Sequence, residues 1–383
     1  MDKKAIVAGH ICIDITPIFP SGKNGRISEI LVPGKLIQMG DSDVHTGGAV
    51  ANTGLAMKKF GIDVTLMGKT GRDEFGEMIG GVLDKHGADA RMIRSDKTST
   101  SYSVVLAVPG NDRIFLHNPG ANDTFCCSDI PQEALRECAL FHFGYPTIMK
   151  SMYASEGEEL LKMMQMMKQN GIATSLDMAV VDPDSDAGKV DWRIILNKVL
   201  PFVDFFMPSI EELGFMLERE RFMQWQTRAG GGDIAEILSI EEDVKPLADR
   251  CMLMGAKVLL IKCGAPGLYY RTADEEIMRH VGVKAGLDIE KWSGKAGFED
   301  SYEPERLLSG TGAGDACIAA FLSAMLKGRE PEMCIHMAAA AGAACVAAYD
   351  ALSGLPSFEV LEAKVHAGWS KKMNIMNAKT LSS

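Results

Sequence analysis

No apolar run in the 383-residue chain is long enough to cross a bilayer. Met337 to Tyr349 is among the longest, and it is Ala-rich and well short of the roughly 20 residues a spanning helix needs. The first residues, Met-Asp-Lys-Lys-Ala-Ile-Val-Ala-Gly, lack the apolar length of a secretory signal and read as an opening β-strand. Histidine is scarce, eight in all, and none falls in H-x-x-x-H or H-E-x-x-H spacing, which argues against a zinc centre. Cysteine occurs nine times, an odd number scattered through apolar segments, and Cys126 and Cys127 are adjacent rather than spaced as C-x-x-C. That usage fits reduced thiols and a cytoplasmic location. Positive charge is in deficit, with a formal net charge of −11. Neither nucleic acid nor a membrane is therefore expected as the main partner, although a locally basic pocket still admits an anionic substrate. No internal repeat is visible.

What the chain does have is enough apolar residues, 46%, to bury a large core as one big α/β domain or two domains. It also has one stretch of unusual chemistry, Ser309-Gly310-Thr311-Gly312-Ala313-Gly314-Asp315, running directly into the apolar Ala316-Cys317-Ile318-Ala319-Ala320-Phe321-Leu322. Taken singly, the glycines are a turn and the aspartate complements a helix dipole. Together they describe a glycine loop opening a buried helix that ends at Lys327-Gly328. Such a loop offers unpaired N–H groups to a phosphate, with a carboxylate beside them. No Lys-Ser/Thr follows the glycines, so this is not a Walker A loop, and the G-x-G-x-G spacing is not G-x-G-x-x-G. A phosphate site carrying its own carboxylate points to phosphoryl transfer, Asp315 taking the proton from an attacking hydroxyl.

In chain order, Ala5 to Asp14 reads as a nearly continuous apolar strand ending in a carboxylate, and Asp14 is either a turn-former or a ligand-binding group. Two stretches, 15–46 and 99–120, are β-rich and turn-rich. The first has short runs at Ile27–Val32 and Lys35–Met39, and the second has a hairpin turn at Pro109-Gly110-Asn111-Asp112; they are expected to pair as a small second sheet. Between them Thr46-Gly47-Gly48-Ala49-Val50-Ala51-Asn52 opens another helix after glycines. Gly68-Lys69-Thr70 is not a Walker A site, because Asp63 stands where the earlier glycine is required. From Ala139 onward apolar strands alternate with helices, which predicts an α/β fold: a doubly wound, mostly parallel sheet flanked by helices. Arg219 to Glu242 and Ala273 to Leu307 read as surface excursions.

From about Ala5 to Pro356 the chain resembles the ribokinase-like (PfkB) family of sugar and nucleoside kinases. The resemblance rests on Gly310-Thr311-Gly312-Ala313-Gly314-Asp315, on Gly47-Gly48-Ala49-Val50-Ala51-Asn52 with Gly61 and Gly71, on Gly9 with Asp14, and on Lys262-Cys263-Gly264-Ala265-Pro266-Gly267. It implies ATP-dependent phosphorylation of a sugar or sugar-acid hydroxyl, with a nucleoside kinase or a catalytically weak binding protein as alternatives. Asp315 would be the base, with Gly312, Ala313 and Gly314 as the anion hole. Asp14, Gly47, Gly48, Asn52 and Arg113 would bind the acceptor. Lys262, Gly264, Gly267, Thr311, Gly312 and Gly314 would bind ATP, and Glu212 would hold Mg²⁺ through water. The family architecture implies a large unit formed by 1–14, 47–98 and 121–370, a β lid formed by 15–46 and 99–120, a tail at 371–383, and a homodimer built through the lid. Two departures stand out. Ser209 replaces the asparagine of the family's N-x-x-E motif, and Ser309 replaces the aspartate that, in ribokinase-type members, helps bind a monovalent cation. Weak or absent K⁺ activation is therefore expected.

Overall fold

The computed structural model describes residues 3–19, 30–108 and 114–372. Its first strands are β1 (Lys4–Gly9), β2 (Cys12–Pro17), β3 (Ser42–Gly47), β4 (Asp63–Gly71), β5 (Asp89–Ser95), β6 (Tyr102–Leu106) and β7 (Ile114–Asn118). There follow β8 (Cys138–Gly144), β9 (Ala173–Asp177), β10 (Phe205–Phe206), β11 (Val258–Lys262), β12 (Gly267–Thr272) and β13 (Ala296–Asp300). Among the described residues they form a nine-stranded sheet, in the order β13-β12-β11-β10-β9-β8-β1-β4-β5, and a four-stranded sheet, β3-β2-β6-β7. The large sheet is parallel from β5 to β11 and turns antiparallel only at its β12–β13 edge. Parallel strands buried on both faces need apolar residues on both, and β1 shows this. Ala5 and Val7 join one core layer, Ile6 and Ala8 the other.

The helices that bear on the cleft are α1 (Ala49–Lys59), α2 (Glu74–Lys85), α3 (Glu158–Gln169), α4 (Ile210–Leu217), α5 (Arg219–Ala229), α6 (Ala313–Leu326) and α7 (Pro331–Cys345). In the Met-rich α3, Met163, Met164 and Met167 are fully buried, as core packing requires. Helix α6 is buried at every residue from Asp315 to Leu326 and runs against both α1 and α7. Among the described residues no helix is long and apolar enough to cross a membrane.

Three expectations are corrected. The apolar run from Ala5 to Asp14 is two strands, not one. Gly9 adopts φ +125°, a conformation open to glycine and strained for other residues, and the chain leaves the large sheet there to begin the small one at Cys12. Asp14 therefore lies within a small-sheet strand, and that sheet starts three residues earlier than the composition change at Ile15 indicated. Lys35–Met39 is not a strand, and β3 supplies the pairing instead; Ile27–Ser28–Glu29 and the turn at 109–112 lie outside the described residues. The two excursions are not peripheral. Ala273 to Leu307 carries edge strand β13 and the buried Trp292, whose ring meets Phe205 and Phe321 at centroid distances of 6.1 and 5.9 Å. Arg219 to Glu242 contains α5, with Trp225 buried and its Nε1 donating to Asp243 at 3.1 Å.

Candidate active site

The glycine loop ends at Gly312, which caps α6 at φ +75°. A Cβ at that position would run into Ala351, so both conformation and space call for glycine. Ahead of it the Ser309 hydroxyl accepts from the Thr311 N–H at 3.1 Å and donates to Thr311 Oγ1 at 3.0 Å, folding the loop back on itself. The first-turn N–H groups at Gly314 and Asp315 have no acceptor inside the helix, which is the arrangement that receives an anion.

Asp315 is buried, and donors surround its carboxylate. Oδ1 accepts from Thr53 Oγ1 at 2.9 Å and from the Tyr145 hydroxyl at 2.9 Å. Oδ2 accepts from Asn52 Nδ2 at 3.1 Å and from the same Tyr145 hydroxyl at 2.8 Å. Asn52 and Thr53 come from α1, and Tyr145 from the residue just after β8. Next to this cluster Lys262 Nζ donates to Asp177 Oδ1 at 2.5 Å. Burial works against the charge on Lys262, but Asp177, Glu212 and Asp315 outweigh it and hold its pKa above the ordinary lysine value. The ammonium form of the lysine is thus favoured, and it places a positive charge beside the anion loop.

A cleft of about 1150 Å³ joins these groups to the small sheet. Toward the small sheet its lining includes His10, Asp14, Gly48, Ser103, His117 and Asp123, the part called the acceptor end below. His10 and His117 have ring centroids 5.1 Å apart. Burial, followed by the proximity of His117, pushes the His10 pKa well down; burial also lowers that of His117 against the pull of Asp14 and Asp123. Both rings are thus neutral near pH 7. Nδ1 of His10 is buried without a hydrogen-bond partner. Oδ1 of Asp14 accepts from the Cys12 thiol at 3.3 Å. Burial raises the Asp123 carboxyl, although the Lys150 N–H donates to it at 2.7 Å.

Of the residues expected from sequence, Asp14, Gly48, Asn52, Glu212, Lys262, Gly264, Gly267, Thr311, Gly312, Ala313, Gly314 and Asp315 all line this cleft. Gly47 does not line it; its Cα backs onto the Asp14 carboxylate, where a side chain has no room. Arg113 lies outside the described residues. Ser209 and Glu212 form a reciprocal capping box at the start of α4. The Glu212 N–H donates to Ser209 Oγ at 3.2 Å, and the Ser209 N–H donates to Glu212 Oε2 at 2.7 Å. Serine in place of asparagine is thus locally satisfied. Asp350, an acidic residue after α7, has its Oδ1 taken by the N–H groups of Leu352 and Ser353 at 2.8 and 2.7 Å. Among the described residues no three of His, Cys, Asp and Glu are arranged to hold a metal ion directly.

Sequence reading missed Thr53, Tyr145, Asp177, His10, His117 and Asp123. For Tyr145 and Asp177 there was a usable signal. Each stands at the carboxyl end of a buried parallel strand, β8 or β9, which is where open α/β sheets bind ligands.

Comparison with known proteins bears on the family and the fold. The sequence model of the family described as pfkB family carbohydrate kinase matches residues 7–357. An uncharacterized sugar kinase of Archaeoglobus fulgidus is 24% identical over 304 residues, 79% of this chain and 98% of its own. A 5-dehydro-2-deoxygluconokinase of Clostridium perfringens is 24% identical over 361 residues, 93% of this chain and 91% of its own. Among solved structures, a putative ribokinase II from E. coli in complex with ATP and Mg²⁺ superposes with a TM-score of 0.69 at 19% identity, covering 95% of this chain and 99% of that one. With the family model spanning nearly the whole sequence, the chain belongs to the pfkB family of carbohydrate kinases.

Proposed function

We propose that the protein transfers the γ-phosphoryl group of ATP to a hydroxyl of an uncharged sugar, with Asp315 as general base. The observation that supports this reading is the position of Asp315. It is buried at the first turn of α6, adjoining first-turn N–H groups free to receive an anion, in a cleft that is also lined by Asp14 and the histidine pair. The acceptor oxygen forms the new O–P bond as the bond to ADP breaks, and the hydroxyl proton passes to the Asp315 carboxylate. Lys262 and the N–H groups of Gly314 and Asp315 balance charge on the transferring group. Mg²⁺ would supply further charge neutralisation at the phosphates. The Glu212 carboxylate, which lines the cleft and whose Oε2 accepts from the Ser209 N–H, would hold the ion through water.

The electrostatics of the acceptor end favour a neutral polyol over a sugar acid. Asp14 and Asp123 face it, its histidines are uncharged, and the cations lining the cleft among the described residues, Lys262 and Lys372, belong to the nucleotide end. A carboxylate placed there would meet two others of its own sign. ADP release, screened over pentoses, ketohexoses, keto-deoxy sugar acids and nucleosides, tests the reading. The expected result is turnover on a neutral sugar. Turnover on a sugar acid that survives Arg113→Ala would overturn the substrate class, and loss of nothing in Asp315→Asn would overturn the base.

A further inference from the structure

Tyr145 is the non-glycine residue with the largest positive φ among the described residues, at φ 67° and ψ 43°. Pro146 behind it disfavours the right-handed helical region, and Gly144 before it packs so tightly on Ala49 that no side chain fits there. The main chain is held as well, by Tyr145 N–H to Asp177 O at 3.2 Å. Such over-determination of a strained residue accompanies functional positions. What the strain achieves is visible at the other end of the side chain. The phenol oxygen lies 2.9 and 2.8 Å from the two oxygens of Asp315, almost equidistant, astride the carboxylate.

A carboxylate has about four lone-pair directions. Thr53 and Asn52 each take one from the α1 side. The phenol covers the remaining pair, on the side of Asp315 that Tyr145 shares with the cleft. An acceptor hydroxyl that is to give its proton to Asp315 must donate into one of those same directions. Burial, then the nearby Asp315 and Asp177 carboxylates, raise the Tyr145 pKa, so the phenol remains a donor and does not itself remove a proton.

Resting on the assignment of Asp315 as base, we propose that Tyr145 is a positioning residue whose hydroxyl stands in for the acceptor hydroxyl on the base. It orients and occupies the carboxylate until a sugar hydroxyl displaces it from one oxygen. The exchange replaces one hydroxyl donor by another, so the base is never left open to water. The acceptor must break a charge-assisted hydrogen bond to enter, and this sets part of its KM. Without the phenol, water reaches the carboxylate and gives its proton there while its oxygen bonds to the γ-phosphorus and the bond to ADP breaks, releasing ADP and phosphate: ATP hydrolysis.

Tyr145→Phe tests this. Removing the competing donor is expected to lower the sugar KM by on the order of tenfold, the scale of one hydrogen bond to a charged group. The same variant should keep kcat within a few-fold and raise sugar-independent ATP hydrolysis severalfold. A fall in kcat toward that of Asp315→Asn would overturn the inference, because it would put the phenol in the proton path. An unchanged or higher KM in a variant of wild-type Tm would also overturn it. A crystal structure of the unmutated protein with its sugar and a non-hydrolysable ATP analogue gives an independent reading. The phenol oxygen should stand beyond hydrogen-bond distance from one Asp315 oxygen, and retention of both contacts would overturn the proposal. Asp315→Asn separates the two levels. If that variant turns over normally, the base assignment has failed; if it is inactive and Tyr145→Phe behaves as wild type, only the stand-in role has failed.

Discussion

The two ends of the cleft are built on opposite plans. At the catalytic end polar groups are already satisfied by the chain itself: Asp315 holds hydrogen bonds from three side chains, and Lys262 is locked on Asp177. Toward the small sheet the pairing is only partial: Asp123 and His117 are hydrogen-bonded, to the Lys150 N–H and to Ser103 Oγ at 2.7 and 3.1 Å. His10 Nδ1 is buried and unpartnered, and the contact described for the Asp14 carboxylate is a thiol at 3.3 Å. Buried polar groups are normally paired, so vacant positions in one half and saturated ones in the other mark different tasks. Under the proposed function, the saturated half would be preorganised for charge that develops during transfer. The other half would take the hydroxyls of the acceptor, and a ligand lacking one would leave a group unpaired.

The largest test of this contrast is Asp315→Asn. It keeps the shape and the hydrogen-bonded neighbours yet removes the base, and kcat should fall by about 10²-fold or more. ADP affinity, measured by calorimetry, should stay within a few-fold, and a loss of nucleotide binding with normal turnover would break the comparison at its catalytic end. Next in size is Asp14→Ala, which removes an acceptor from the partly paired half. The sugar KM should rise by roughly 10- to 100-fold, the cost of a hydrogen bond to a charged group, with little change in the KM for ATP. Equal effects on both KM values would show that the halves are not separable.

A smaller effect concerns stability. Burial pushes the Glu211 carboxyl, in the first turn of α4, up to about 7 from a usual 4.5. Between those values the folded protein holds a proton that the unfolded chain has released. Stability from this group is therefore complete below about pH 4.5 and falls as pH rises through 7. Glu211→Gln should raise Tm by about 2 °C at pH 8.5 and leave it nearly unchanged at pH 4.5. A larger gain at the acidic end would reverse the sign and refute the argument. The smallest expected effect is that of K⁺. Ser309 is hydrogen-bonded to Thr311 and brings no charge, and the Asp350 carboxylate is engaged by Leu352 and Ser353. Exchanging Na⁺ for K⁺ at constant ionic strength should leave the initial rate of ADP release unchanged, and a severalfold activation would contradict this.

Much of this molecule could be read before its structure. The glycines around Gly48 and Gly312 announce where backbone must approach a ligand, and Asp315 stands out because a carboxylate opens so apolar a helix. Other features could not be read, for identifiable reasons. The passage from β1 to β2 turns on the φ of Gly9 alone, inside a run whose hydrophobicity never changes, so Asp14 looked like the end of a strand rather than the middle of another. Tyr145 lies 170 residues from Asp315, and no local pattern links a lone tyrosine to a partner at that distance. Trp292 sits in a stretch that is polar by composition but is drawn into the core by Phe205 and Phe321.

The complete burial of α6 has a consequence for how this protein can change. Asp315 is mounted on an element that cannot shift without disturbing α1 and α7, so the backbone amides of α6 should exchange with deuterium only when the whole domain opens. Asp14, by contrast, rides on a small sheet whose strands are only half covered. Under the proposed function, substitutions that alter acceptor choice would meet less packing resistance in that sheet than substitutions near Asp315 would meet in the core.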